Sequence, residues 1–260
     1  EFRRVLFRSR RNKMWTWIDR IVERNVINKA DCLVGVSPLQ CSQLSYLHGK
    51  KCILISNGYN CDDYPAVRNN NDRFLIRYIG SLTDRQDYRK FLEAYNKYIN
   101  DNYLTNKDIM LEFVGRIKPS IAEIIKSSCK QNNCIRLIGE VSYKESFEMM
   151  RNASLLIFFQ YNSADTEGVY TSKLFYYIGS KRPVLSVGNK THSTNTLLSY
   201  TGAGLTCQDV SEIYHALDYY YSLWKTNRCD TPDNQNKRVG EYARDEIFKK
   251  LHFIIDSSGS

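Results

Sequence analysis

Downstream of Arg73 the chain alternates two hydrophobic patterns. Short, nearly continuous apolar runs (FLIRYIG, IMLEFVG, CIRLIG, SLLIFFQ, PVLSV and GLTC) are separated by stretches whose apolar residues recur at helical spacing. Continuous apolar runs mark strands buried on both faces, and helical spacing marks amphipathic helices between them. The pattern predicts helices over Tyr88 to Asn102, Pro119 to Lys130, Ser142 to Asn152, Ser193 to Tyr200 and Val210 to Trp224. One more carries Leu174, Phe175, Tyr177 and Ile178 and stops at Gly179. Strands separated by helices predict an α/β fold built on a doubly wound, Rossmann-like parallel sheet.

The same signs recur upstream on a smaller scale. A helix over Lys13 to Ala30 places Trp17, Ile18, Ile21, Val22 and Val26 near helical spacing, CLVGVS reads as a strand, Ser37-Pro38 opens a second helix, and KCILISNG reads as a second strand. Two parallel strands cannot cover both faces of a sheet, so residues 10–58 read as the C-terminal part of a second Rossmann-like domain. More of that layer is expected upstream, which would make the chain a fragment. Residues 1–9, EFRRVLFRS, join no periodic element and read as a non-native linker. The acids, proline and asparagines of YNCDDYPAVRNNND make 59–72 an interdomain linker, followed by the larger domain over 73–236. The final segment, 237–260, is expected to hold one amphipathic helix over about Val239 to Ile255.

Composition narrows the class of protein. At 260 residues and 42% hydrophobic, the chain is long enough for one large or two modest cores. No apolar run approaches the roughly 18 to 20 residues of a membrane-spanning helix, and the start lacks the order of a signal peptide. The expected location is the cytoplasm. None of the eight cysteines forms a C-x-x-C pair, and several lie in apolar strand-like runs, which points to reduced, buried thiols. The four histidines, His48, His192, His215 and His252, are spread over dissimilar elements and indicate neither a metal site nor a triad. Net charge is +9; Arg3, Arg4 and Arg8 against Glu1 supply +2 of it, leaving +7. A basic balance fits phosphate-bearing substrates or an anionic membrane surface. The scatter of lysines and arginines without an aromatic stripe argues against nucleic acid.

Candidate chemistry concentrates in Thr166 to Val187, TEGVYTSKLFYYIGSKRPVLSV. The order is loop, helix, tight turn and buried strand. A helix that starts at the carboxyl edge of a parallel sheet offers free N–H groups and the positive end of its dipole to a phosphate. Tyr170, Thr171 and Ser172 form that start, and Lys173, one turn in, adds a full positive charge. Three other strands end in glycine, at Gly80, Gly115 and Gly139, where the lack of a side chain lets a ligand approach the backbone. Together they predict a nucleotide-sized crevice.

Several segments in order carry a resemblance: Ile55-Ser56-Asn57-Gly58, Tyr78-Ile79-Gly80-Ser81-Leu82, Phe113-Val114-Gly115, Ile138-Gly139-Glu140-Val141, and Lys173-Leu174-Phe175 through Arg182-Pro183-Val184-Leu185. This arrangement resembles the retaining glycosyltransferases of the GT-B fold, the group that includes glycogen-synthase-like and bacterial polysaccharide-building enzymes. The match runs from about residue 14 to 255.

The resemblance implies a two-domain enzyme that binds a nucleotide-diphosphate sugar in the C-terminal domain and a saccharide or lipid-linked acceptor in the N-terminal one. Its final helix would cross back toward the N-terminal domain. It implies transfer with retention, no metal and no cofactor, a role in cell-surface polysaccharide or glycolipid assembly, and peripheral contact with the inner membrane. Residue by residue, Ser81 stands where many relatives have an arginine that meets the diphosphate, which shifts that task to Arg85. Arg116 stands where the family often has an acid and becomes a second candidate near phosphate or base. Ile138, Gly139 and Val141 match the segment that holds the base through its backbone. Of the family's two glutamates, the second position is Tyr176 and the first Gly168, next to Val169, with Glu167 one residue early as the candidate catalytic acid. These departures keep two alternatives open, a non-catalytic nucleotide-binding module and a nucleotide-sugar epimerase of the same architecture.

Overall fold

A computed structural model of the chain describes residues 13–66, 71–128, 133–161, 170–226 and 237–258. In chain order the first elements are α1 (Lys13–Lys29), β1 (Leu33–Gly35), α2 (Pro38–His48), β2 (Cys52–Leu54) and a 3-10 turn (Cys61–Asp63). Then come β3 (Phe74–Ile79), α3 (Tyr88–Asp101), β4 (Ile109–Val114), α4 (Pro119–Ser128), β5 (Ile135–Gly139) and α5 (Tyr143–Arg151). The remainder is β6 (Leu155–Phe159), α6 (Ser172–Gly179), β7 (Val184–Val187), α7 (Ser193–Thr201), β8 (Gly204–Cys207), α8 (Val210–Lys225), α9 (Lys237–Gly240) and α10 (Arg244–Ser258).

The six apolar runs pair as one parallel sheet in the order β5-β4-β3-β6-β7-β8. Because successive side chains of a strand point to opposite faces, each run feeds two cores at once. Phe74, Ile76 and Tyr78 of β3 and Leu155, Ile157 and Phe159 of β6 face α3, α4 and α8. Ile79, Leu156, Phe158 and Val184 face α5, α6 and α7 on the other side. Arg77 and Glu112 sit opposite each other in the β3–β4 register and pair at 2.8 Å, with the Arg77 guanidinium also donating to Met149 O. The strand order doubles back between β3 and β6, so ligands are expected at the carboxyl ends near that point.

The upstream unit is a two-stranded parallel sheet of β1 and β2. Its helix α2 begins at the Ser37 cap, whose hydroxyl accepts from Gln40 N–H. The thiols of Cys41 and Cys52 pack under Gly35, and burial pushes the Cys52 thiol up to about 12, which keeps it unreactive. Cys129 and Cys229 lie outside the described residues. Among the described residues no helix is long and apolar enough to cross a membrane.

The C-terminal segment corrects one expectation. The single helix over Val239 to Ile255 is in fact two, α9 and α10, separated at Glu241–Ala243. The break has a clear cause: Tyr59 N–H donates to Tyr242 O, Arg244 N–H donates to Tyr59 O, and Tyr59 and Ala243 form a parallel bridge. A continuous helix would use these groups internally, so pairing with the upstream segment is what interrupts it. Gly58 makes the approach possible, since a Cβ there would stand 2.5 Å from Tyr242 O and 2.4 Å from the Ile247 side chain. Gly58→Ala is therefore expected to lower stability by roughly 1–3 kcal/mol, read as a lower midpoint in urea denaturation.

Candidate functional site

The carboxyl ends of β3, β4 and β5 form a bare backbone edge. Gly80, Gly115 and Gly139 follow one another across it, with Gly80 N–H donating to Val114 O at 2.7 Å and Gly115 N–H donating to Gly139 O at 2.6 Å. Gly80 and Gly115 have φ of 130° and 120°, a region L side chains rarely adopt. A Cβ on Gly115 would lie 2.7 Å from Gly80 O, and one on Gly80 would lie 2.5 Å from the Lys173 ammonium. Conformation thus favours glycine at both positions, and at Gly115 backbone sterics require it as well.

Lys173 is the link between this edge and α6. Its side chain runs back from the first turn of the helix, placing Nζ 2.9 Å from Tyr78 Oη and 4.3 Å from the centre of the Tyr78 ring. Tyr78 in turn donates to Ser81 O at 2.6 Å and accepts from Gln86 Nε2 at 3.1 Å. Desolvation lowers the lysine from its ordinary 10.5 to about 8. The ammonium is half-buried and poised to gain from an anion.

The start of α6, like that of α3 at Asp87, lacks the side-chain cap that α5, α7 and α8 carry. Ser142 and Glu145 form a reciprocal capping box on α5, the His192 ring caps α7, and Asp209 caps α8. Thr171 occupies the cap position of α6 with extended backbone, yet its side chain makes no capping bond, and its buried Oγ1 has no partner among the described residues. A buried hydroxyl normally finds a partner. Here it belongs to the residue at the N-terminus of α6, two positions before Lys173.

The remaining candidates divide. Gly80, Gly115, Gly139 and Lys173 gather at the edge, with Ser81 next to Gly80 and with Thr171 and Ser172 at the start of the helix that carries Lys173. Arg85 lies exposed in the loop after β3. Arg116 is turned to Glu140 at 2.6 Å with 79% of its side chain exposed, so its charge is already engaged at the surface. Ile138 is exposed and Val141 packs partly against the α5–α7 core. Tyr170 is buried and its carbonyl accepts from Asn57 Nδ2 at 3.5 Å. The Tyr176 ring packs 5.3 Å from Phe147, and its carbonyl accepts from Tyr64 Oη at 2.6 Å. Glu167, Gly168 and Val169 lie outside the described residues.

Tyr78 and Gln86 are site residues that the sequence pattern does not mark. A strand pattern assigns Tyr78 to the core, where its ring indeed lies, and gives no sign that its hydroxyl reaches the edge. A cavity of about 310 Å³ lies to one side, walled by Leu54, Ile55, Ser56, Leu197, Tyr200 and Tyr242. Tyr170 is the one candidate it shares; Lys173 and the glycines are outside its wall.

No family model and no curated protein matches the sequence. Solved structures do, and they define the architecture as the GT-B fold of glycosyltransferases. A glycosyltransferase from Rickettsia africae ESF-5 matches with a TM-score of 0.70 at 15% identity, covering 91% of this chain and 67% of that one. HepE from Anabaena, solved in complex with UDP, matches with a TM-score of 0.67 at 12% identity over 92% of this chain and 68% of that one. WaaG, described as a glycosyltransferase involved in lipopolysaccharide biosynthesis, matches with a TM-score of 0.64 at 12% identity over 94% and 70%. At these identities the likeness is one of fold, and it agrees with the GT-B-like reading of the sequence.

The depressed Lys173 value sets a direction for stability. Below pH 8 the ammonium is kept in both folded and unfolded chains, and folding bears its full burial cost. Between 8 and 10.5 the folded state releases the proton first, so this group makes the protein more stable as pH rises. Lys173→Met is expected to remove that rise, measured as the difference between wild-type and variant denaturation midpoints from pH 7.5 to 10.5.

Proposed function

We propose that the chain is the donor-binding part of a glycosyltransferase, which moves a sugar from a nucleotide-diphosphate donor to a saccharide or lipid-linked acceptor. The observation that carries this reading is the Lys173 ammonium laid over Gly80 at the bare ends of β3 and β4, next to the uncapped Thr171 at the start of α6. The leaving group of such a transfer is a nucleoside diphosphate, on which negative charge grows as the glycosidic bond breaks. An ammonium, a hydroxyl donor and a helix N-terminus stabilise that charge without a metal, so the reaction is read as metal-independent and free of cofactor. Retention of configuration, a role in cell-surface polysaccharide or glycolipid assembly, a cytoplasmic location and peripheral contact with the inner membrane belong to the same proposal. The HepE complex with UDP and the lipopolysaccharide role given for WaaG support it by analogy of fold.

One observation favours a second reading, a nucleotide-binding module without transfer. Tyr176, at the position where the resembling family has its ribose-binding glutamate, is a neutral phenol whose ring is packed on Phe147. Calorimetry separates the readings in stages. Wild-type protein is expected to bind UDP or GDP more tightly than uridine or guanosine, with no change on adding a chelator. Lys173→Ala is expected to weaken diphosphate binding roughly 10- to 100-fold while leaving nucleoside binding unchanged. Affinity for the diphosphate should fall as pH rises from 7 through 8, because only the protonated lysine pairs with the phosphates. Equal losses for nucleoside and diphosphate would remove the phosphate role of Lys173, and binding of donor without transfer by the longer protein would favour the second reading.

A further inference from the structure

We infer that Tyr78 is the positioning residue of the phosphate site, holding the Lys173 ammonium over the Gly80–Gly115 edge, with Gln86 fixing the orientation of its hydroxyl. The inference rests on the donor-binding reading above and names how that site is set.

Hydrogen-bond capacity decides which way the hydroxyl points. A phenol oxygen has one proton to give and two lone pairs to fill. In Tyr78 the oxygen donates to Ser81 O at 2.6 Å and accepts from Gln86 Nε2 at 3.1 Å. Gln86 is itself held in place, its Oε1 accepting from Thr83 N–H and its Nε2 donating also to Phe159 O. It is 5% exposed, so water does not compete for these bonds. With the proton committed to Ser81 and one lone pair to Gln86, the remaining lone pair faces Lys173 Nζ at 2.9 Å. The hydroxyl is thereby fixed as an acceptor toward the lysine, and an acceptor favours the ammonium over the amine.

The same hydroxyl ties together the turn after β3, the end of β6 through Gln86, and the first turn of α6. Other ionisable groups lie on the described elements around Lys173. Asp84 pairs with Lys118, Arg116 pairs with Glu140, and Arg85 is exposed to solvent. Tyr177, on the same helix, is bonded to the backbone of Ile79, and Tyr161 acts on Tyr78 from the end of β6.

Tyr78→Phe keeps the ring and removes only the acceptor. Binding of UDP or GDP by the variant at pH 7 is expected to weaken roughly tenfold, and the pH midpoint of affinity to drop by about one unit, with uridine or guanosine binding unchanged. Lys173→Ala in the same assay separates two failures. If Lys173→Ala loses diphosphate selectively while Tyr78→Phe keeps wild-type affinity and midpoint, the positioning role is overturned and the phosphate site stands. If Lys173→Ala shows no selective loss, the phosphate site itself fails. A measurement on ligand-free wild-type protein stands apart from the folding of either variant. In a pH titration followed by NMR, Tyr78 ring resonances are expected to shift with the same midpoint as the Lys173 side-chain carbon next to its amine. Tyr78 resonances that stay fixed while Lys173 titrates would overturn the inference.

Discussion

The approach of two glycines governs the site. Gly80 and Gly115 lie so close that a Cβ on the second would press on the carbonyl of the first, and both take backbone angles that side chains rarely allow. That constraint leaves the carboxyl edge of β3 and β4 as half-buried peptide groups without side chains, a surface that itself carries no charge. Charge has to arrive from another element, and Lys173 brings it from α6. A lysine reaching across from a helix has a long, flexible stem, so its position depends on what receives the ammonium.

Much of this arrangement is legible in the amino-acid sequence. The six apolar runs are the six strands of the sheet, and the glycines that end three of them line up on neighbouring strands as the pattern implies. The helix start after Tyr170 and Thr171, with Lys173 in its first turn, is also visible, because helix starts carry their signals in local sequence. Arg85 and Arg116 are harder to judge: a motif position says where the backbone lies, while the ion pair between Arg116 and Glu140 depends on the distance between two loops. Tyr78 is hidden for the opposite reason. Its ring satisfies the strand pattern completely, and the functional atom is the one the pattern does not count. The division of the last helix into α9 and α10 is likewise beyond local sequence, since its cause is hydrogen bonding to Tyr59, far upstream in the chain.

The aromatic residues near the upstream segment form a second organised region. Tyr64 packs edge-on against Phe147, Phe147 against Tyr143 and Tyr176, and Tyr143 Oη donates to Asp63 at 2.9 Å. Edge-to-face aromatic contacts of this kind add to simple burial. They attach the Tyr59–Tyr64 segment to α5 and α6, while the Tyr59–Ala243 bridge attaches it to the C-terminal helices.

These two regions meet in α6. At its first turn Lys173 is held by Tyr78 on β3, and farther along Tyr177 exchanges hydrogen bonds with both backbone groups of Ile79, one residue before the Gly80 turn. On the face between them Tyr176 gives its carbonyl to Tyr64. The helix is only eight residues long, so these attachments fix it as a single rigid piece. The tyrosine at 176 thus has a structural use that an acid there would not serve: its ring adds to the aromatic packing that secures α6.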